Sequence, residues 1–133
     1  MVPRPEDQAG LVCILLVEDD VLVRFATADY LRDSGLTVIE AASADEALSY
    51  IGTGGRADLV FTDIEMPGSM NGLDLARRLK TENPTLPIIL TSGKVMSQNT
   101  EAIGLFLAKP YMIGRAVSLV LDMLGVKPVD GGE

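Results

Sequence analysis

The chain has no histidine and no tryptophan, and only one cysteine in 133 residues. Without histidine there can be no Ser/His or Cys/His nucleophile pair, no HExxH zinc site and no phosphohistidine formed on this chain. Any chemistry falls to carboxylates, hydroxyls and lysine. The single Cys13 cannot form an intrachain disulfide, and its place inside an apolar run reads as a small buried hydrophobe. That run, Leu11 to Val17, is too short for a membrane span or a signal-peptide core, and the opening "MVPRPEDQAG" is polar and proline-containing. A cytoplasmic location without membrane insertion is expected. Neither GxGxxG nor GxxxxGK[ST] occurs, so nothing supports a dinucleotide or P-loop site. Positive charge is scarce as well: 11 basic against 19 acidic residues give a net charge of −8. Such a surface repels nucleic acid, and no DNA partner is expected.

What is present is a globular composition, 47% hydrophobic and 23% charged. The length suits one domain, expected over residues 11–125 between flexible ends at 1–10 and 126–133. Short apolar runs alternate with segments of helical period about five times, the pattern of parallel strands joined by crossover helices. The expected strands are Leu11–Val17, Thr37–Ala41, Leu59–Thr62, Pro87–Thr91 and Leu105–Ala108. The first helix is expected to face inward through Val21, Phe25, Ala28 and Leu31, and to stop at Gly35. Ser43 and Glu46 have capping-box spacing at the start of the second. The third runs from about Gly72 to Glu82 and the last carries Ile113, Val117, Val120, Leu121 and Leu124 on one face. Only residues 92–104 remain for a fourth crossover, so a helix there must be short or irregular. The fold class is α/β, a doubly wound parallel sheet with helices on both faces.

In such sheets ligands bind beyond the carboxyl ends of the strands. Those ends carry Glu18-Asp19-Asp20, Asp63, Thr91-Ser92 and Lys109. Carboxylates brought this close raise one another's pKa unless a divalent cation neutralises them, and an all-oxygen set suits Mg²⁺. An aspartate can attack a phosphoryl group while a metal, a lysine and a hydroxyl stabilise the charged oxygens. Each component is present.

In this order, "LLVEDD", "FTDIEMPGSMNGLDLARRL", "PIILTSG" and "LAKPY" resemble the signature segments of the response-regulator receiver domain of two-component signalling, over about residues 11–124. The likeness is to single-domain regulators and hybrid-kinase receivers. It implies a flavodoxin-like sheet of order 2-1-3-4-5 and a phosphoacceptor role for Asp63. Glu18 and Asp19 would be the acidic pair holding Mg²⁺ with Asp63, Asp19 directly and Glu18 through water, and the Glu65 backbone carbonyl would complete the set. Thr91 would be the switch hydroxyl, Lys109 the lysine of the site and Phe106 the switch aromatic. The implied donor is a histidine kinase or phosphotransfer protein. The implied protein is a phosphoacceptor that catalyses its own phosphorylation and slow dephosphorylation. The downstream protein stays unidentified, and a monomer and a phosphorylation-dependent dimer both stay open. Output is expected through a protein contact. "MPGSMNG" has one residue more than the usual family spacing, so the loop after Asp63 is expected to be shaped differently.

Simpler readings stand beside these. Asp20 suits an N-cap for the helix starting near Val21. Asp63 alone would be a loop residue, Thr91 and Ser92 turn residues, Lys109 a solvated lysine and Phe106 a core aromatic. Met66, Met70, Met96, Met112 and Met123 read as packing residues, with a contact surface possible near Met112. The isomer of the Lys109-Pro110 bond stays open. The competing functions are a phosphorylation-independent interaction module on the same fold and, more weakly, a Mg²⁺-dependent aspartyl-phosphate phosphatase with Glu65 as general acid.

Overall fold

The computed structural model describes residues 12–94 and 100–126. Five parallel strands, β1 (Cys13–Val17), β2 (Thr37–Ala41), β3 (Leu59–Asp63), β4 (Ile88–Ser92) and β5 (Leu105–Ala108), form one sheet in the order β2-β1-β3-β4-β5. Among the described residues, four helices connect or follow them: α1 (Val21–Asp33), α2 (Ala44–Gly52), α3 (Gly72–Glu82) and α4 (Ile113–Leu124). The expected sheet order is therefore observed. β1 begins at Cys13, with Val12 outside the strand expected from Leu11; Leu11 itself, the end 1–10, all of the end 126–133 but Val126, and Met96 lie outside the described residues. β3 and β4 each extend one residue past the expected end, to include Asp63 and Ser92. β4 begins after Pro87, which has no N–H to donate but accepts from Val60 N–H at 3.0 Å.

Strand alternation sends side chains to two separate cores. Leu15, Val17, Val60, Ile88 and Leu90 pack with Ala47 of α2 and Leu75, Ala76 and Leu79 of α3. Ile14, Leu16, Leu59, Phe61, Ile89 and Leu107 pack with Ala28 and Leu31 of α1 and Val117, Val120 and Leu121 of α4. Both faces of the central strands are covered, which accounts for their nearly continuous apolar sequences.

The inward face of α1 differs from the sequence expectation. Ala28 and Leu31 are buried together with Thr27, whereas Val21 and Phe25 are 50% and 53% exposed. The helix is rotated so that Thr27 meets the Tyr111 hydroxyl at 3.2 Å, and the face carrying Val21, Leu22 and Phe25 is left to solvent. The cap of α2 also differs in detail: Ser43 Oγ accepts from Glu46 N–H, but the Glu46 carboxylate accepts from Ala42 N–H, one residue before the cap. A complete capping box occurs instead at α3, between Asn71 and Asp74. In the fourth crossover the described residues 101–103 form a turn, and 95–99 lie outside the described set. β5 is an edge strand with Leu105 and Phe106 exposed, so Phe106 is not a core aromatic. No helix among the described residues is long and apolar enough to cross a membrane.

Candidate functional site

Register brings the site together. β1 and β3 pair Val17 with Thr62, so one step further Glu18 lies beside Asp63; β3 and β4 pair Asp63 with Thr91; β4 and β5 pair Thr91 with Leu107. Glu18, Asp63 and Thr91 share the alternation parity of Ile14, Phe61 and Ile89, so all three belong to the sheet face under α1 and α4. Lys109, two residues past Leu107, completes the row. Its N–H extends the ladder by donating to Ser92 O at 2.8 Å, and the Lys109-Pro110 bond is cis.

The cluster is buried and carries excess negative charge. Glu18 and Asp63 are 4% and 5% exposed. Lys109 Nζ lies 2.7 Å from Glu18 Oε1 and 3.3 Å from Asp63 Oδ2, a single cation between two carboxylates. Burial pushes the Asp63 carboxyl up to about 6, and the Glu18 charge adds to this against the attraction of Lys109. Burial works to lower Lys109, but its hydrogen bond to Glu18 and the two carboxylate charges outweigh that and hold it above its ordinary value. Replacing Lys109 by Met removes the attraction and leaves the repulsion. The Asp63 carboxyl should then titrate above its wild-type midpoint, read from its carboxyl-carbon NMR shift; an unchanged midpoint would contradict this electrostatic account.

Among the described residues, two buried side-chain polar atoms lack hydrogen-bond partners, Asp63 Oδ1 and Thr91 Oγ1. Uncompensated buried groups of this kind are costly and are usually explained by a function. One carboxylate oxygen each from Glu18, Asp19 and Asp63 lie within 4.8 Å of one another. Three carboxylates against one ammonium, with one buried oxygen unpaired, fit a small divalent cation with oxygen ligands. Asp20 takes no part in this set: its Oδ1 accepts from Leu22 and Val23 N–H, the expected N-cap.

Glu65 turns its carboxylate elsewhere, accepting from the Ser92 hydroxyl and from Gly93 N–H. A carboxylate tied to the loop after β4 in this way is ill placed to serve as a general acid. Phe106 has the opposite parity to Thr91 and lines a groove with Ile103, Leu105 and Met123.

Residues not apparent from the sequence complete the support. Gly72 packs against the Asp63 backbone so closely that a Cβ would lie 1.8 Å from its carbonyl oxygen. Arg24 reaches back to the Glu18 carbonyl, and Tyr111 stacks edge-on against Phe61 at 5.9 Å. The glycine ahead of "LDLARRL" was the available signal for the first. Tyr111 closes the "LAKPY" segment, and nothing local marked Arg24.

Residues 14–115 match the response regulator receiver domain family. The chain is 36% identical over 129 residues to the sensor kinase CckA of Brucella abortus, covering 92% of this chain and 14% of the kinase. It is 36% identical over 109 residues to the C4-dicarboxylate transport transcriptional regulatory protein DctD of Rhizobium meliloti, covering 78% and 23%. It thus spans less than a quarter of each of these relatives. Among solved structures, a receiver domain protein from Methanospirillum hungatei superposes with a TM-score of 0.79 at 26% identity, over 86% of this chain and 94% of that one. The response regulator TrrA of Thermotoga maritima, determined with Mg²⁺ and BeF, superposes with a TM-score of 0.76 at 27% identity, over 85% and 99%. With the strand order, the strand-end carboxylates and the family match in agreement, the chain belongs to the response regulator receiver domain family of two-component signalling.

Proposed function

We propose that this chain is a phosphoacceptor: Asp63 takes a phosphoryl group from a phosphohistidine of a partner kinase or phosphotransfer protein. The observation that carries the reading is the buried, unpaired Asp63 Oδ1 beside Glu18, Asp19 and Lys109. A carboxylate oxygen of Asp63 forms the new bond to phosphorus as the phosphorus–nitrogen bond breaks. The imidazole leaves with that electron pair and is protonated from solvent. The product is an acyl phosphate on Asp63. Ionised Asp63 is the reactive form, and a carboxyl that titrates near 6 is mostly ionised at neutral pH.

Glu18, Asp19, Asp63 and the Glu65 backbone carbonyl would hold Mg²⁺. When bound, the ion supplies positive charge to the phosphoryl oxygens. Lys109, already drawn to this edge by Glu18 and Asp63, supplies a second positive charge. The Thr91 hydroxyl, buried without a partner, is the donor a new phosphoryl oxygen would attract. Its inward movement would be read by Phe106 on the neighbouring strand and by the surface around it. A protein donor reaching Asp63 must cover an apolar rim, since Leu22 and Met112 are each 80% exposed and Leu22 shares a cavity with Lys109, Pro110 and Tyr111. The unit is assigned to residues 11–125 and to the cytoplasm, with the phosphorylated form acting through a protein contact rather than as an enzyme.

Beryllofluoride with Mg²⁺, a stand-in for the phosphoryl group, should shift the backbone amides of residues 100–109. Thr91→Ala should still bind it but lose the shift at Phe106. A wild-type protein that binds beryllofluoride without response on β5 would sink the switch while leaving the acceptor role intact.

A further inference from the structure

We propose that Arg24 is a positioning residue for the divalent cation, holding the Glu18–Asp19 peptide so that Asp19 faces Asp63; the inference rests on the metal-assisted reading above. Glu18 is fixed on every side. Its N–H donates to Ala41 O at 3.0 Å, and its carboxylate accepts from Lys109 at 2.7 Å and from Asp20 N–H at 3.1 Å. Its carbonyl oxygen accepts from Arg24 Nη1 at 3.0 Å. That carbonyl belongs to the peptide from which Asp19 emerges.

Asp19 differs from its neighbours. It is exposed, and among the described residues its carboxylate makes no hydrogen bond or ion pair that would set its direction. Its orientation toward the cluster therefore depends on the backbone, and Arg24 sets the plane of the preceding peptide. Arg24 is itself held: Nε meets Glu40 Oε1 of β2 at 3.1 Å and its side chain is 13% exposed, while Arg32 bonds the other oxygen, Oε2, at 3.0 Å and takes no part in the Arg24 contact. Glu40 is shared by Arg24 and Arg32, so the three side chains keep a net positive charge, and a loss of Mg²⁺ affinity on removing Arg24 must come from lost orientation rather than from lost charge. Only a guanidinium can meet both acceptors from one rigid plane, with Nε on a carboxylate and Nη1 on a carbonyl. The neighbouring Arg32 makes an ion pair to the same Glu40 and donates to Val38 O at 2.9 Å, but does not touch Glu18.

That difference supplies the control. Mg²⁺ affinity is measured by calorimetry on wild type, Arg24→Met, Arg24→Lys and Arg32→Met, alongside melting temperatures in EDTA. Removing a group that orients a metal ligand typically weakens the metal about tenfold or more. Arg24→Met should weaken Mg²⁺ about tenfold, with Arg24→Lys recovering little of it. Arg32→Met should lower the melting temperature yet bind Mg²⁺ within about twofold of wild type. Equal Mg²⁺ affinity in Arg24→Met and Arg32→Met overturns the proposal. If Arg24→Met does not fold, Arg24→Lys decides, because it keeps charge and stem and loses only the fork; wild-type affinity in it overturns the proposal too. Wild-type protein that binds no Mg²⁺, or Asp63→Asn that binds it as tightly, overturns the metal-assisted reading itself.

Discussion

Asp63→Asn should abolish phosphorylation by any donor and, in metal-free buffer near neutral pH, should fold more stably than the wild type. The first half follows from the nucleophile: an amide oxygen does not form a stable acyl phosphate, and among the described residues no second carboxylate has the pairing of Asp63 with Thr91 and Lys109. The second follows from linkage. The Asp63 carboxyl titrates near 3.8 in an unfolded chain and at about 6 in the fold, so between those values the folded state binds more protons. Stability from this group is therefore highest below about 4, falls as pH rises to about 6 and stays low above it. The shift corresponds to roughly 3 kcal/mol of destabilisation at neutral pH, little reduced by solvent because the side chain is 6% exposed. The Asn amide still has to be accommodated, so a gain of roughly 1–2 kcal/mol is expected. Urea denaturation in EDTA at several pH values measures it. The advantage of Asp63→Asn should shrink as the buffer is acidified from neutral toward pH ~4, and Mg²⁺ should narrow it by stabilising the wild type alone. A wild type whose stability relative to Asp63→Asn does not vary with pH would show that burial exerts no such pressure on this carboxyl.

Gly72→Ala should be the most damaging single-methyl change near the site. The added Cβ would lie 1.8 Å from Asp63 O, 2.7 Å from Asp63 C and 2.9 Å from Thr62 Oγ1. Two of these are backbone atoms at the carboxyl end of the central strand β3 and cannot swing away as a side-chain end can. Gly72 N–H also donates to Ile64 O at 2.9 Å, so the start of α3 is bonded to the segment it would have to leave. Relief requires displacing α3, with Leu75, Ala76 and Leu79 buried on it, or the end of β3 that aims Asp63. Overpacking of this kind costs typically 1–3 kcal/mol and more where backbone must move, and about 3 kcal/mol is expected here. Chemical denaturation gives the loss, and Mg²⁺-dependent labelling of the folded fraction tests whether Asp63 has moved. Gly68→Ala is the comparison: nothing lies within 4 Å of its Cβ, and only its φ of +111° resists substitution. A smaller loss is expected there. If Gly72→Ala matched the wild type in both stability and labelling, the close approach of α3 to Asp63 would be wrong.

Glycine also absorbs the long turn after Asp63. Gly68 takes the left-handed conformation, and the Asn71–Asp74 capping box restarts the chain as α3. The unusual spacing of "MPGSMNG" is thus taken up before Gly72, in the loop. Glu65 lies in the same loop, and its carboxylate is drawn away to Ser92 and Gly93. That contact joins the loops after β3 and β4.

The sequence was most legible where the physics is periodic. Apolar runs of strand length between amphipathic segments specify parallel strands with crossovers, and β2, β5, α3 and the end of α4 at Gly125 appear where the pattern placed them. Strand ends are legible too, because an apolar run stopping at a carboxylate, a hydroxyl or a lysine marks the sheet edge at which a ligand binds. The face of α1 was not. Val21, Phe25, Ala28 and Leu31 fit one helical stripe, yet Val21 and Phe25 are exposed, since the helix is turned by contacts of Thr27 with Tyr111, 84 residues away in sequence.

By itself, then, the chain determined a doubly wound sheet and the set of polar residues at its carboxyl edge, because periodicity and chain punctuation are local properties. Only the tertiary structure decided how those residues are shared out. Parallel register put Glu18, Asp63 and Thr91 on one face and Phe106 on the other. Long-range contacts gave Glu18 to Lys109, kept Asp20 for the helix cap and joined Arg24 to the peptide before Asp19. The acidity of Asp63 belongs to the same class: burial and the charge of Glu18 raise it, and both exist only once distant strands have paired.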